Sequence, residues 1–367
     1  MRGMLLGCVA VMCAVPGIAS AADRKATAAP QAGNQALRTL PIPAGKGWKH
    51  AETGLILRAS LTGLPRTSAV DSTTDEHDVM IEFANPGLAT AATIYIFHPA
   101  QDDVAMWFDR ADYAARRRPD FGGAEPVGAG PVAFVPPGST ATAALRQIYT
   151  PKHGPYRSSA LAMLPLGAWL VAVRLSSTEM DPAALDARLT ALIAEIGWPA
   201  GAPAPTRAAV PIPACPDPIA FRHARMKKPD MAQAVLGSLL AVVAVSHAGD
   251  TKSAEPKPWC RDGAPTDTYG VYRRADDRNG YTLALGDAGR VASVYPGNSN
   301  VQLPGAVGGW TVSMTDVDNT VAMYPSFDTM PQPSQVMDLI ARGAVVSRTN
   351  AGSDKQRSTT INATMIK

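Results

Sequence analysis

Five prolines crowd into residues 199–213, at Pro199, Pro203, Pro205, Pro211 and Pro213, separated mostly by alanine and glycine. Proline lacks an amide donor and locks φ, so such a stretch is extended and semi-rigid and builds neither a helix nor a central strand. The chain is therefore expected to fold as two units, 45–198 and 214–367, on either side of this linker. A length of 367 residues agrees with two domains, since single cores run at about 150 residues. Hydrophobic residues are 46% of the chain, enough for real cores, and aromatics are 6%, so those cores must be mostly aliphatic.

Residues 1–21 read as a signal peptide. Arg2 is a short basic region, and Met4 to Val15 is an apolar run too short to span a bilayer comfortably. Pro16 and Gly17 break the run, and Ala19-Ser20-Ala21 supplies small residues at the cleavage positions, which puts the cut after Ala21. A lipoprotein reading of Leu5-Leu6-Gly7-Cys8 leaves almost no apolar region before the cysteine. The composition of the leader is bacterial in style, so the expected location is periplasmic or secreted. Four cysteines occur, of which Cys8 and Cys13 leave with the leader. Cys215 and Cys260 remain, an even number in an oxidising space, and are expected to form a disulfide. Closing that loop contributes roughly 4 kcal/mol in the chain-entropy model. The alternative is a pair of reduced, buried thiols.

Residues 22–44, rich in Ala, Gln, Asn and Pro without periodicity, read as a flexible tether. In 45–198, Leu55, Leu57, Ala59 and Leu61 alternate with polar residues, as do Val79, Ile81 and Phe83. Thr93, Tyr95 and Phe97, interleaved with Ile94 and Ile96, predict a strand buried on both faces. Val104, Trp107, Phe108 and Ala111 fall at helical spacing, with acidic residues at the start and Arg116 to Arg118 at the end. Strands are expected near 131–135 and 141–149, and a hairpin around Pro165-Leu166-Gly167. A last helix opens at Asp181-Pro182 with the stripe Leu185, Leu189, Leu192, Ile193 and Ile196. The order is three strands, helix, four strands, helix. That order, with a long last helix on one antiparallel sheet, resembles the PsbP-like α+β fold of exported and lumenal proteins. The resemblance covers 45–198 and rests on element order alone. It implies a binding or assembly role by analogy.

In the second unit, Met231 to Val245 is a nearly continuous apolar run. It is expected to be a buried helix, because a span of this length is marginal and would part Cys215 from Cys260. No transmembrane span is expected in the mature chain. A meander follows: Tyr269 to Arg273, Tyr281 to Leu285, Arg290 to Tyr295, Trp310 to Met314 and Thr320 to Tyr324, with Asn279-Gly280 as a hairpin signal. Ser334 is expected to cap a short helix carrying Val336, Leu339 and Ile340, and a terminal hairpin spans Val345 to Thr349 and Thr359 to Ile366. The expected class is α+β, two domains, each an antiparallel sheet with packed helices.

The motifs of common chemistries are missing from the sequence. Of six histidines, at 50, 77, 98, 153, 223 and 247, no two lie three to five residues apart, so no helical metal pair arises. Asp75-Glu76-His77-Asp78 offers mixed ligands but reads better as a solvated turn, and Asp316, Asp318 and Asn319 as a hairpin turn. There is no nucleophile elbow, no dinucleotide fingerprint at Gly128-Ala129-Gly130, and no phosphate loop. Ser139 reads as a turn residue, and Ser158 and Ser159 as strand-edge residues. A net charge of +3 gives no bulk argument for nucleic acid. No cofactor or metal is expected. His98 is the candidate functional residue, because it ends the central strand just before Pro99 and the helix, a place where loops carry function. The expected function is a non-enzymatic, exported binding or assembly module for an envelope protein or a small apolar ligand. The alternative is a hydrolase with a Ser/His/carboxylate site assembled in space, with His98 or His153 as its base.

Overall fold

The computed structural model describes residues 37–201, 203, 205, 207–229, 258–297, 309–350 and 358–366. The expected leader, most of the tether and the apolar run Met231 to Val245 lie outside the described residues.

The first half holds strands β1 (Arg38–Thr39), β2 (Trp48–Lys49), β3 (Ile56–Leu57), β4 (Ser60–Leu61), β5 (Leu64–Asp71), β6 (Asp78–Asn85) and β7 (Thr90–Phe97). Helix α1 (Val104–Arg116) follows, then β8 (Ala124–Pro126), β9 (Val132–Phe134), β10 (Ala144–Pro151), β11 (Ser158–Leu166), β12 (Trp169–Ser177) and helix α2 (Pro182–Glu195). The second half holds β13 (Trp259–Arg261), β14 (Tyr269–Arg274), β15 (Tyr281–Leu285), β16 (Arg290–Pro296), β17 (Trp310–Thr315), β18 (Val321–Phe327), helix α3 (Pro333–Ala341), β19 (Ser347–Thr349) and β20 (Thr359–Ile361).

The described residues form three sheets, of ten, eight and two strands, against three helices. Every pairing between these strands is antiparallel. The protein is thus largely β, which corrects the α+β class expected from the sequence. Many of the added strands are only two or three residues long, too short to show a period-2 pattern.

Sheet one runs β1-β5-β6-β7-β12-β11-β10-β8, with β4 and β9 attached at β5 and β10. Its register places Ile81 opposite Ile94, Ile94 opposite Val173, and Val173 opposite Ala162. This row lies on the face that packs Leu185, Leu189, Leu192 and Ile193 of α2. Alternate residues turn the other way: Leu145, Leu161, Met163, Leu170 and Ala172 pack against Met106, Trp107, Phe108 and Ala111 of α1. The same cluster takes in Tyr272, Ala284 and Val291 of sheet two. Helix α1 is therefore the middle layer, with one sheet on each side. Sheet two runs β13 to β20 in chain order and packs Val336, Leu339 and Ile340 of α3 on its far face.

Local signals explain the helix starts. Asp103 is the N-cap of α1, its carboxylate accepting from the Met106 amide at 2.9 Å, and Asp181 does the same for Ala184 in α2. In α3 the N-cap is Gln332, not Ser334; the Gln335 side chain accepts from the Gln332 amide and also bridges Ala224. The tether is shorter than expected at its C-terminal end, because β1 pairs with β5 and Leu40 is buried. The linker is partly docked: the Ala209 amide bonds the Thr142 carbonyl, and Ala209 and Ile212 pack on the middle core. Cys215 and Cys260 meet as a disulfide with Cα atoms 4.9 Å apart, tying the chain after the linker to edge strand β13. No described helix is long and apolar enough to cross a membrane.

Candidate functional site

Functional geometry concentrates on the seam between the halves. Asp109, Arg110, Tyr113 and Arg117 recur at near-helical spacing on the face of α1 that meets sheet two. Arg110 is fully buried. It donates through Nε to the Gly286 carbonyl at 2.8 Å and through Nη1 to the Thr266 carbonyl at 3.1 Å. Asp109 accepts from Tyr272 Oη at 2.7 Å and pairs with Arg261. Burial holds the Asp109 carboxyl above the usual carboxylate range against the pull of Tyr272 and Arg261. Burial, and then the charge of Asp109, push the Tyr272 phenol well above its ordinary value. Arg117 pairs with Asp267 at 2.9 Å.

Beside these residues a cleft of about 580 Å³ opens, walled by both halves. Tyr113 and Arg116 come from α1 and Arg117 from its C-cap, Gly123 from the entry to β8 and Glu125 from β8, Lys152 from just past β10, and Arg261 and Pro265 from the second half. Each cation has a carboxylate partner: Arg116 with Asp112 at 2.7 Å, Lys152 with Glu125 at 2.9 Å, Arg117 with Asp267, and Arg261 with Asp109. Asp112 also accepts from Tyr149 Oη at 2.7 Å, which fixes the Arg116 pair to the sheet. The sequence pointed to an envelope protein or a small apolar ligand as the partner; this cleft is lined by charge. The missed signal was the row Asp109, Asp112, Arg116, Arg117, whose arginines were assigned to helix-end electrostatics alone.

Further along the seam, three histidines surround one indole. The Trp169 ring is stacked with His77, centroids 5.6 Å apart and planes at 14°, and meets His50 and His98 edge-on at 4.7 and 5.1 Å. His50 is held by Thr53 Oγ1 and by the Glu76 carbonyl, each at 2.9 Å. His77 Nε2 lies 3.4 Å from Glu52 Oε1. The backbone of Val317, in the second half, favours the charged form of the His98 ring. Its Nδ1 is buried with no partner among the described residues, as is that of His77. Burial, with His77 next to it, lowers the basicity of His98. The flanking contacts also cross the seam. Ala100 N–H donates to the Gly289 carbonyl at 2.8 Å, and Arg290 reaches Asp78 at 3.4 Å and Asp316 at 2.9 Å. Arg174 pairs with Asp287.

The structure thus brings His98, singled out from the sequence, together with His50 and His77, which were not grouped with it. The run Asp75 to Asp78 does not act as a unit: Asp78 turns to Ser72 and Arg290, while His77 turns to Trp169 and Glu52. No group of three potential metal-ligating side chains converges among the described residues. Asp316 and Asn319 form the β17–β18 turn, Asp316 N–H bonding the Thr320 carbonyl at 2.9 Å. The serines weighed as nucleophiles are engaged elsewhere. Ser139 bonds the Ala141 carbonyl, Ser158 the Met180 carbonyl, and Ser159 the hydroxyl of Ser176. His153 stands against Gly122, where a Cβ would come within 2.7 Å of it.

No family model matches the sequence, and no curated protein is similar to it. A solved structure from Bacteroides thetaiotaomicron VPI-5482, determined at 1.50 Å, is similar at a TM-score of 0.22 and 10% identity, over 67% of this chain and 88% of that one.

Proposed function

We propose that the protein is an exported binding module that takes a small polar ligand bearing an anionic group in the cleft at the seam. The observation that carries this reading is the cleft itself, about 580 Å³, built from both halves and faced by Arg116, Arg117, Lys152 and Arg261. An apolar ligand fits such a lining poorly, since it would strip water from charges without replacing their hydrogen bonds. An anion fits it better. The Lys152–Glu125 pair is largely exposed, at 53% and 69%. Such exposed pairs contribute only about 0–1 kcal/mol. A ligand carboxylate or phosphate can therefore take over Lys152 at little cost and lie close to Arg116. Export is inferred from the leader read in residues 1–21, which supports a periplasmic or secreted location. The Cys215–Cys260 disulfide is consistent with an oxidising compartment.

The test is native mass spectrometry of the protein purified from its host envelope, for the wild type and for Lys152→Glu and Arg116→Glu. The expected result is a small adduct on the wild type that both variants lose. An adduct retained by both variants, or none on the wild type, overturns the reading.

A second reading, docking of a protein partner, is favoured by one observation. Val127, Val132 and Val135 are 43%, 56% and 47% exposed around the outermost strands β8 and β9 of sheet one. Crosslinking in cells from position 132 distinguishes the two, because only this reading yields a discrete protein adduct there.

A further inference from the structure

The stretch 221–228 lays a row of cations along an outer edge of sheet two. Its backbone is extended and runs beside the end of β18. Met226 bridges antiparallel to Phe327, the Lys227 amide donates to the Ser326 carbonyl at 2.8 Å, and the Asp328 amide donates to the Arg225 carbonyl at 3.0 Å. Strand β19 pairs β18 only over Val321 to Met323, so at this end of β18 the stretch holds the edge position. Two anchors fix it there. Phe221 packs on the core of sheet two, and Gln335 of α3 bonds both the amide and the carbonyl of Ala224. The backbone is thus ordered before anything binds, which removes one cost of binding.

What this edge turns to solvent is charge around one apolar group. Arg222, Arg225 and Lys228 are exposed, and Met226, between them, is 49% exposed. Among the described residues these three cations form no ion pair, whereas every cation of the cleft has a carboxylate partner. The carboxylate at this edge, Asp328, accepts from the Arg225 and Thr329 amides at 2.9 and 2.8 Å and lies in the field of Arg225. It offsets one of the three charges and leaves a surplus.

We propose that residues 222–228 dock the protein on an anionic bilayer surface, with Arg222, Arg225 and Lys228 against lipid phosphates and Met226 entering the headgroup layer. A bilayer uses both kinds of group on the strip, because peripheral binding grows with buried apolar area and with attraction to anionic lipid together. A free phosphate would use the cations and leave Met226 in water. A single strand of nucleic acid stacks its bases on exposed aromatic rings. The strip offers none, since its one ring, Phe221, is turned to the core.

The experiment is co-sedimentation of the full mature chain with vesicles of phosphatidylglycerol and phosphatidylethanolamine, and with vesicles of phosphatidylcholine alone. Each basic residue at an anionic surface strengthens binding about fivefold, so three count for about a hundredfold. The wild type is expected to bind the anionic vesicles, to ignore the neutral ones, and to be released at about 1 M salt, where charge is screened within about 3 Å. Arg222→Gln, Arg225→Gln and Lys228→Gln combined are expected to weaken binding about a hundredfold, and Met226→Ser alone several-fold, with unchanged urea midpoints because these side chains face solvent. Lys46→Gln, Lys49→Gln and Arg58→Gln combined remove the same charge from exposed positions of the first half and are expected to leave binding near the wild-type value. Equal losses in the two triple variants overturn the proposal. So does equal binding to neutral vesicles, as the apolar run Met231 to Val245 alone would give. A Met226→Ser variant that binds like the wild type, or tight binding of a single-stranded oligonucleotide in place of the anionic vesicles, also overturns it, because the cations would then serve any polyanion.

Discussion

Replacing Gly289 by alanine measures how closely the two halves are pressed together. Gly289 has φ +90°, and a Cβ there would lie 2.9 Å from Val317 Cγ1, 3.0 Å from Phe97 Cδ2 and 3.1 Å from the Pro99 Cα. One of these neighbours is in the second half and two are in the first, so the methyl would act as a wedge in the seam. Two costs add. The left-handed backbone costs a residue with a Cβ about 1–2 kcal/mol. Overpacking a closed site costs about 1–3 kcal/mol more. Gly128 separates the two terms: its φ is +84°, and a Cβ there would meet nothing within 4 Å. Gly128→Ala is therefore expected to cost only the first term, about 1–2 kcal/mol, and Gly289→Ala about 2–5 kcal/mol. Urea unfolding of the wild type and both variants reads the difference from the midpoints, with unchanged slopes. Equal losses in the two variants would refute the reasoning, because the wedge would then have met no wall.

Two other expectations concern the second half. Removing the Cys215–Cys260 bond by reduction is expected to lower stability by about 2–5 kcal/mol, read by urea unfolding with and without reductant. Asp262→Ala is expected to cost about 3–5 kcal/mol in the same assay. It strands the buried Arg273 guanidinium, whose Nε donates to Asp262 at 2.7 Å, and frees the Ile219 amide that Asp262 accepts. An Asp262→Ala loss under 1 kcal/mol, on the order of an exposed pair, would show that the pair is solvated.

How far the fold was legible depended on whether its cause was local. Both long helices announce themselves through Asp103 and Asp181, since a cap is a neighbour interaction. The meander of sheet two was readable because each strand carries apolar residues at period two between turn residues. Strand β5 was missed for a physical reason. Of its inward positions, Asp71 is fully buried yet polar, satisfied by Arg38 and Thr73, so the pattern breaks where the structure does not. The α+β expectation failed with it, because two- and three-residue edge strands such as β8 and β13 exist only through their partners. The seam was invisible for the same reason. Asp109 meets Arg261 and Tyr272 across more than 150 positions, and His50, His77 and His98 share Trp169 only after four segments converge. His98 alone could be picked out, from its place at a strand end.

Helix α1 is a core shared by both sheets, and calorimetry tests that sharing most directly. A single thermal transition, with calorimetric and van't Hoff enthalpies equal and its midpoint lowered by Gly289→Ala, is the result predicted for one cooperative body. Two resolved transitions, one of them unmoved by Gly289→Ala, would show instead that the halves melt separately and that the seam joins nothing.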